Sequence, residues 1–184
     1  MPVQTPICDF GKKALPFELK STDNKIISLD DIKGENGTLI MFICNHCPYV
    51  KAITKEIVED CNELKKIGIN SVAICSNDFI NYPEDSFDNM IKFSKDNQFS
   101  FPYLQDETQK IAKTYDAVCT PDFFGYDKDL GLQYRGRLRE LKNFIPVKDG
   151  ESDLLKAMKQ IAETGKGPQD QIPSAGCGIK WKYN

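Results

Sequence analysis

The 184-residue sequence predicts an α/β fold, a mixed sheet with helices on both faces. Three observations carry this. Residues 38–44 (TLIMFIC) and 69–77 (INSVAICSN) are apolar runs of strand length without alternation, the pattern of strands covered on both faces. Between them Val50, Ile53, Ile57, Cys61, Leu64 and Ile67 recur at helical steps. Farther on, residues 117–127 and 130–136 read as two strands joined by a turn at 128–131, which adds antiparallel members to the sheet.

The elements follow in order. Leu15, Phe17 and Leu19 alternate, as do Ile27 and Leu29, so two short strands flank a turn at 22–24. Residues 28–37 read as a connecting turn. The helix after residue 44 starts near Cys47, because Pro48 fits only a first turn, and Gly68 closes it. Residues 77–86 form a loop. Residues 84–97 form a helix with Phe87, Met90, Ile91 and Phe93 inward. Residues 101–106 are extended, and 108–115 form a short helix capped by Thr108 or Asp106. Leu154, Leu155, Met158 and Ile161 mark a last amphipathic helix at 153–164. Residues 165–184 lack periodicity and are expected to be an irregular tail. Without repeats or linkers, residues 1–184 read as one domain, with 1–36 as an N-terminal strand extension.

A net charge of −3 and a pI near 5.3 point to neither nucleic acid nor an anionic membrane as partner. No apolar run approaches the ~20 residues of a membrane span, and the start lacks a secretory pattern. A cytoplasmic protein without a cofactor is expected. An odd number of cysteines, seven, argues against a disulfide framework. Cys61, on a helix stripe, and Cys75, at a strand end, are expected to be inert core residues.

The chemistry concentrates in FICNHCPYVK, residues 42–51. Cys44 and Cys47, three apart across a strand-to-helix junction, can close a small disulfide ring. Unpaired backbone N–H groups at the helix start favour a thiolate there, and His46 adds to this when protonated. A zinc site needs about four ligands. Cys44, His46 and Cys47 do not converge comfortably, and no second ligand pair is evident. Two inert cysteines remain the other reading. In CTPDFF, residues 119–124, Thr120-Pro121 opens a hydrophobic strand, where either a cis bond or an ordinary trans proline fits.

Strand, C-x-x-C, helix, Thr-Pro, hairpin and final helix together resemble the thioredoxin superfamily. The added N-terminal strands and inserted helix are similar to its peroxiredoxin (AhpC/TSA) and TlpA/ResA branch. SNDFINYPEDS, FPYLQDETQKIAKTY, CTPDFF, YRG and PSAGCGIKWK extend the likeness to a peroxiredoxin-like group, over residues 15–182. The resemblance implies a thioredoxin fold: three α/β/α layers around a central mixed sheet, with added N-terminal strands, an inserted helix and a C-terminal tail. It implies Cys44 as nucleophile, Cys47 as resolving thiol, and Pro121 as a facing cis-proline. Thr120 would offer its backbone to an extended substrate.

The chain departs from the thioredoxin pattern at Ile43, Asn45 and His46. Thr38 stands where thioredoxins bury an acid. Ile40 and Cys44 replace the Pro and Thr of the peroxidatic motif.

The expected activity is thiol–disulfide exchange through Cys44–Cys47, with protein or small-molecule thiols and disulfides and a separate reductant as partners. A thiol-dependent antioxidant peroxidase, and a redox sensor or zinc-binding module, are the alternatives. Cys177, between glycines in the tail, is a candidate third thiol, against the reading of a small residue in a turn. Cys119 is expected near the pair. Arg135, Arg137 and Arg139 read as a solvated rim or as a grip for a carboxylate or phosphate.

Overall fold

The computed structural model describes residues 1–183. β1 (Val3–Gln4), β2 (Glu18–Ser21) and β3 (Ile26–Ser28) precede α1 (Leu29–Ile32) and β4 (Gly37–Phe42). α2 (Pro48–Lys51), α3 (Thr54–Lys66), β5 (Ile69–Cys75), α4 (Phe87–Asp96), β6 (Tyr103–Gln105) and α5 (Lys110–Thr114) follow. The chain continues through β7 (Cys119–Thr120), β8 (Asp122–Tyr126), β9 (Leu132–Tyr134), the hairpin β10 (Leu141–Lys142) and β11 (Ile145–Pro146), α6 (Asp153–Thr164) and β12 (Ala175–Gly178).

Seven strands form a mixed sheet in the order β3-β2-β6-β5-β4-β8-β9. β4 is parallel to β5 and antiparallel to β8. Its residues alternate between two cores, which makes the strand apolar throughout. Leu39 and Met41 pack with Ile57, Leu64, Leu154 and Met158 from α3 and α6. Ile40 and Phe42 pack with Leu29, Ile32 and Ala112 from α1 and α5. This is the expected thioredoxin-like architecture of three layers.

Several details differ from the sequence reading, each for a local reason. The helix after Cys47 is broken in two. The Thr54 hydroxyl donates to the Val50 carbonyl at 2.7 Å and Ile53 N–H turns back to the same carbonyl, so α2 is one turn long. Residues 28–37 hold a one-turn helix, α1, because Ser28 and Asp31 form a capping box. The helix expected at 84–97 begins at Phe87, where Ser86 caps it by accepting from Asn89 N–H. That leaves Asp85 in a preceding 3-10 turn, facing inward.

The tail is not irregular throughout. β12 lies between β1 and β7 in a small antiparallel sheet. Ala-Gly-Cys-Gly has weak strand propensity, and only its distant partners make it a strand. Nor are the arginines a solvated rim. Arg135 makes a buried two-pronged bond to Asp122, Arg137 pairs with Asp153, and Arg139 with Glu56. The carboxylates they grip are the chain's own.

Candidate active site

β4 ends at Phe42, and the chain crosses from the sheet to α2 through Ile43-Cys44-Asn45-His46-Cys47. Cys47 is the N-cap residue of α2, with Pro48 at N1. Opposite stands the Thr120–Pro121 bond between β7 and β8, and it is cis. Arg135 holds this turn from behind. It bonds Asp122, the residue after the proline, and the Asp116 carbonyl, while Asp122 accepts from Val118 N–H. Burial raises the Asp122 carboxyl pKa, and the guanidinium opposes that rise.

Both sulfurs face Thr120. Cys44 Sγ lies 3.4 Å from the Thr120 hydroxyl. Cys47 Sγ lies 3.3 Å from the Thr120 carbonyl oxygen and 3.0 Å from Cys177 Sγ. Cys44 and Cys47 are 1% and 0% exposed. The two thiols titrate as one coupled pair. Their interaction lets a first proton leave more readily than from an ordinary thiol, and with burial and the Asp85 carboxylate it holds the second. Within the pair the Cys47 thiol donates to the Thr120 carbonyl and to Cys177, and the Thr120 hydroxyl is in reach of Cys44. The one-turn α2 has little dipole to offer, so the neighbouring thiol does more than the helix start.

His46 turns its Nδ1 toward Asp85 and stays close to the Cys44 sulfur. Its Nδ1 stands 2.7 Å from Asp85 Oδ2, in ion-pair range but out of line for a hydrogen bond. Its ring lies parallel to that of Tyr82, 6.1 Å away. Asp85 also accepts from Asn45 N–H and from Asn77 Nδ2, both at 2.8 Å. Tyr103 OH donates to Asn45 Oδ1 at 2.8 Å. The residues between the cysteines are thus pinned by the 77–86 loop.

Asp85 was missed in the sequence reading. A second acid in an acidic loop carries no local mark, and only the Ser86 cap hints that it precedes the helix. Donor atoms of Cys44, His46 and Asp85 lie within 4.8 Å of one another, a convergence the sequence argument did not anticipate. With three donors it falls one short of a structural zinc site. Thr38, in the place of the thioredoxin acid, accepts from Gly34 N–H instead.

The other cysteines are placed as follows. Cys61 and Cys75 are buried, each with its pKa raised to about 12, chiefly by burial. Cys119 is buried near Pro121, its Sγ 3.5 Å from that carbonyl, and burial raises its pKa too. Cys177 lies on β12, directly opposite Thr120.

Comparison with known proteins adds the lineage. The AhpC/TSA family profile matches residues 10–137. The chain belongs to the AhpC/TSA family. It is 44% identical to an uncharacterized conserved protein from Geobacillus kaustophilus, with a TM-score of 0.93 over 100% of this chain and 98% of that one. A hypothetical protein from Sinorhizobium meliloti 1021 is 31% identical, with a TM-score of 0.91 and full coverage of both chains. At 15% identity the fold alone is shared with a thiol:disulfide interchange protein of the thioredoxin family from Chlorobium tepidum TLS, with a TM-score of 0.63 over 83% of this chain and 97% of that one. A search of curated proteins returns no match. Family and fold together make this a thioredoxin-like protein of redox type. Among the described residues no helix is long and apolar enough to cross a membrane.

Proposed function

We propose that the protein is a thiol–disulfide oxidoreductase working through the Cys44–Cys47 couple. The observation that carries this reading is the convergence of both sulfurs on Thr120, beside Pro121. The resemblance to thioredoxins gives Cys44 the attacking role. The geometry supports that role: the Cys47 thiol donates to the Thr120 carbonyl and to Cys177, while the Thr120 hydroxyl is in reach to donate to a Cys44 thiolate. The His46–Asp85 pair, within 4.8 Å of the Cys44 sulfur, is suited to receive the Cys44 proton, in place of the acid absent at Thr38. The Cys44 thiolate attacks a substrate disulfide, one substrate sulfur leaves as a thiolate that takes up a proton, and a mixed disulfide remains at Cys44. Cys47 then gives up its proton and attacks Cys44, releasing the second substrate sulfur and closing the Cys44–Cys47 disulfide.

Trapping tests the assignment. The two single Cys→Ser variants are incubated with a peptide disulfide and the adducts are mapped by mass spectrometry. An adduct at Cys44 in Cys47→Ser, with none in Cys44→Ser, supports the reading. The opposite pattern reverses the two roles, and absence of both removes the dithiol mechanism. Family membership favours the peroxidase as second reading. Peroxide consumption well above that of free cysteine would establish it, and stoichiometric zinc in the purified protein would support the binding module.

A further inference from the structure

β12 occupies the edge that an extended substrate would use. Cys177 pairs with Thr120, and Gly178 with Cys119, in antiparallel register. The strand is seated with little slack. A Cβ built on Gly176 would stand 2.0 Å from the Thr120 carbonyl oxygen, so only glycine lets β12 lie this close. Ser174 Oγ donates to the Pro121 carbonyl at 2.7 Å, and its backbone bonds Thr5 in both directions. Beyond the strand, Lys180 N–H donates to Asn77 Oδ1 and its carbonyl accepts from Asp78 N–H. A segment held from both sides delivers the Cys177 sulfur to 3.0 Å from Cys47 Sγ, about 1 Å beyond disulfide bonding distance.

We propose that Cys177 is a third redox thiol, to which the Cys44–Cys47 disulfide passes by internal exchange, with β12 acting as a built-in substrate strand. This rests on the Cys44–Cys47 couple proposed above. In the exchange Cys177 loses its proton and its thiolate attacks Cys47 Sγ. The Cys47–Cys177 bond forms as the Cys44–Cys47 bond breaks, and Cys44 leaves as a thiolate that takes up a proton. One disulfide and one thiol exist before and after, so no further oxidant is required. Oxidation also readies the attacker. The Cys177 pKa is raised to about 11 by burial and then by the hydrogen bond and charge of Cys47, and the Cys47 contribution disappears once that sulfur is in a disulfide.

Wild type, Cys177→Ser and Gly176→Val are equilibrated in glutathione buffers of graded ratio, quenched in acid, alkylated and mapped by non-reducing digestion. In the wild type both Cys44–Cys47 and Cys47–Cys177 are expected, in a ratio independent of the glutathione ratio, since exchange consumes neither oxidant nor reductant. Gly176→Val should lower the Cys47–Cys177 share by about tenfold or more, as the loss of a high effective concentration predicts. Cys177→Ser should hold Cys44–Cys47 alone. If Cys44–Cys47 forms without Cys47–Cys177, the exchange is overturned and the couple stands. If Cys47–Cys177 forms without Cys44–Cys47, the couple fails and the exchange fails with it. If neither forms, both fall.

Discussion

Cys61 and Cys75 are 4% and 3% exposed, and Cys44 and Cys47 scarcely less. Burial therefore does not separate the inert cysteines from the reactive pair. The surroundings do. Cys61 and Cys75 sit among core side chains, and burial raises both pKa values. Cys44 and Cys47 suffer the same penalty, but they are coupled to each other, and the interaction lets one thiol of the pair ionise below the ordinary thiol value. A buried thiol becomes reactive when the protein replaces the hydration it has lost.

The largest test of that contrast is deletion. Cys44→Ser should lower the rate of disulfide reduction by at least about a thousandfold, in line with loss of a catalytic nucleophile. Cys61→Ala and Cys75→Ala should leave that rate unchanged in the same assay. A second test moves the partners without touching a sulfur. Arg135→Ala leaves the Asp122 carboxylate buried and unpaired behind Pro121, and breaking such a pair costs about 3–5 kcal/mol. Urea titration reads the loss, and the alkylation rate of Cys47 should change with it.

The pH dependence is the third. The first proton of the coupled Cys44–Cys47 pair leaves below the ordinary thiol value, so below 9.0 the folded state holds fewer protons than the unfolded one. Stability from this step is fully present above the unfolded value of 9.0 and is lost as pH falls through the lowered folded value. The reduced protein should therefore gain up to about 1.4 kcal/mol per pH unit in this window, the slope of one proton. Asp60, raised to about 6 mainly by burial, contributes with the opposite sign through its own range, from 3.8 to about 6. Subtracting the Cys47→Ser profile from the wild-type profile isolates the thiol. A difference curve that is flat would remove the thiolate from the pair. The smallest effect is expected at an inert core cysteine. Cys61→Ala should cost about 1 kcal/mol of stability, the loss of one well-packed group.

What could be read from the sequence divides along the same line. β4 and β5 carry their continuous apolar runs, and α3 and α6 their periodicity, within about a dozen residues, and the Cys44–Cys47 spacing and the Thr120-Pro121 step are local as well. Asp85 and Cys177 join the site from 40 and 130 residues away. Nothing near Asp85 marks it as the carboxylate that would meet His46. Cys177 was legible only as an accessible thiol between glycines. The register that brings it opposite Thr120 depends on β1, Ser174 and the Asn77–Lys180 bonds, none of which leaves a periodic trace. The split between α2 and α3 was hidden for a different reason. The apolar stripe runs unbroken through Ile53, and the break comes from a single hydroxyl, that of Thr54.

The seating of β12 over the sulfurs gives the protein a clock of its own. An alkylating reagent too bulky to pass the closed strand can label Cys47 only during moments of detachment. Its labelling rate, divided by that of the same thiol after unfolding, is then a protection factor for one local opening, in the manner of amide exchange.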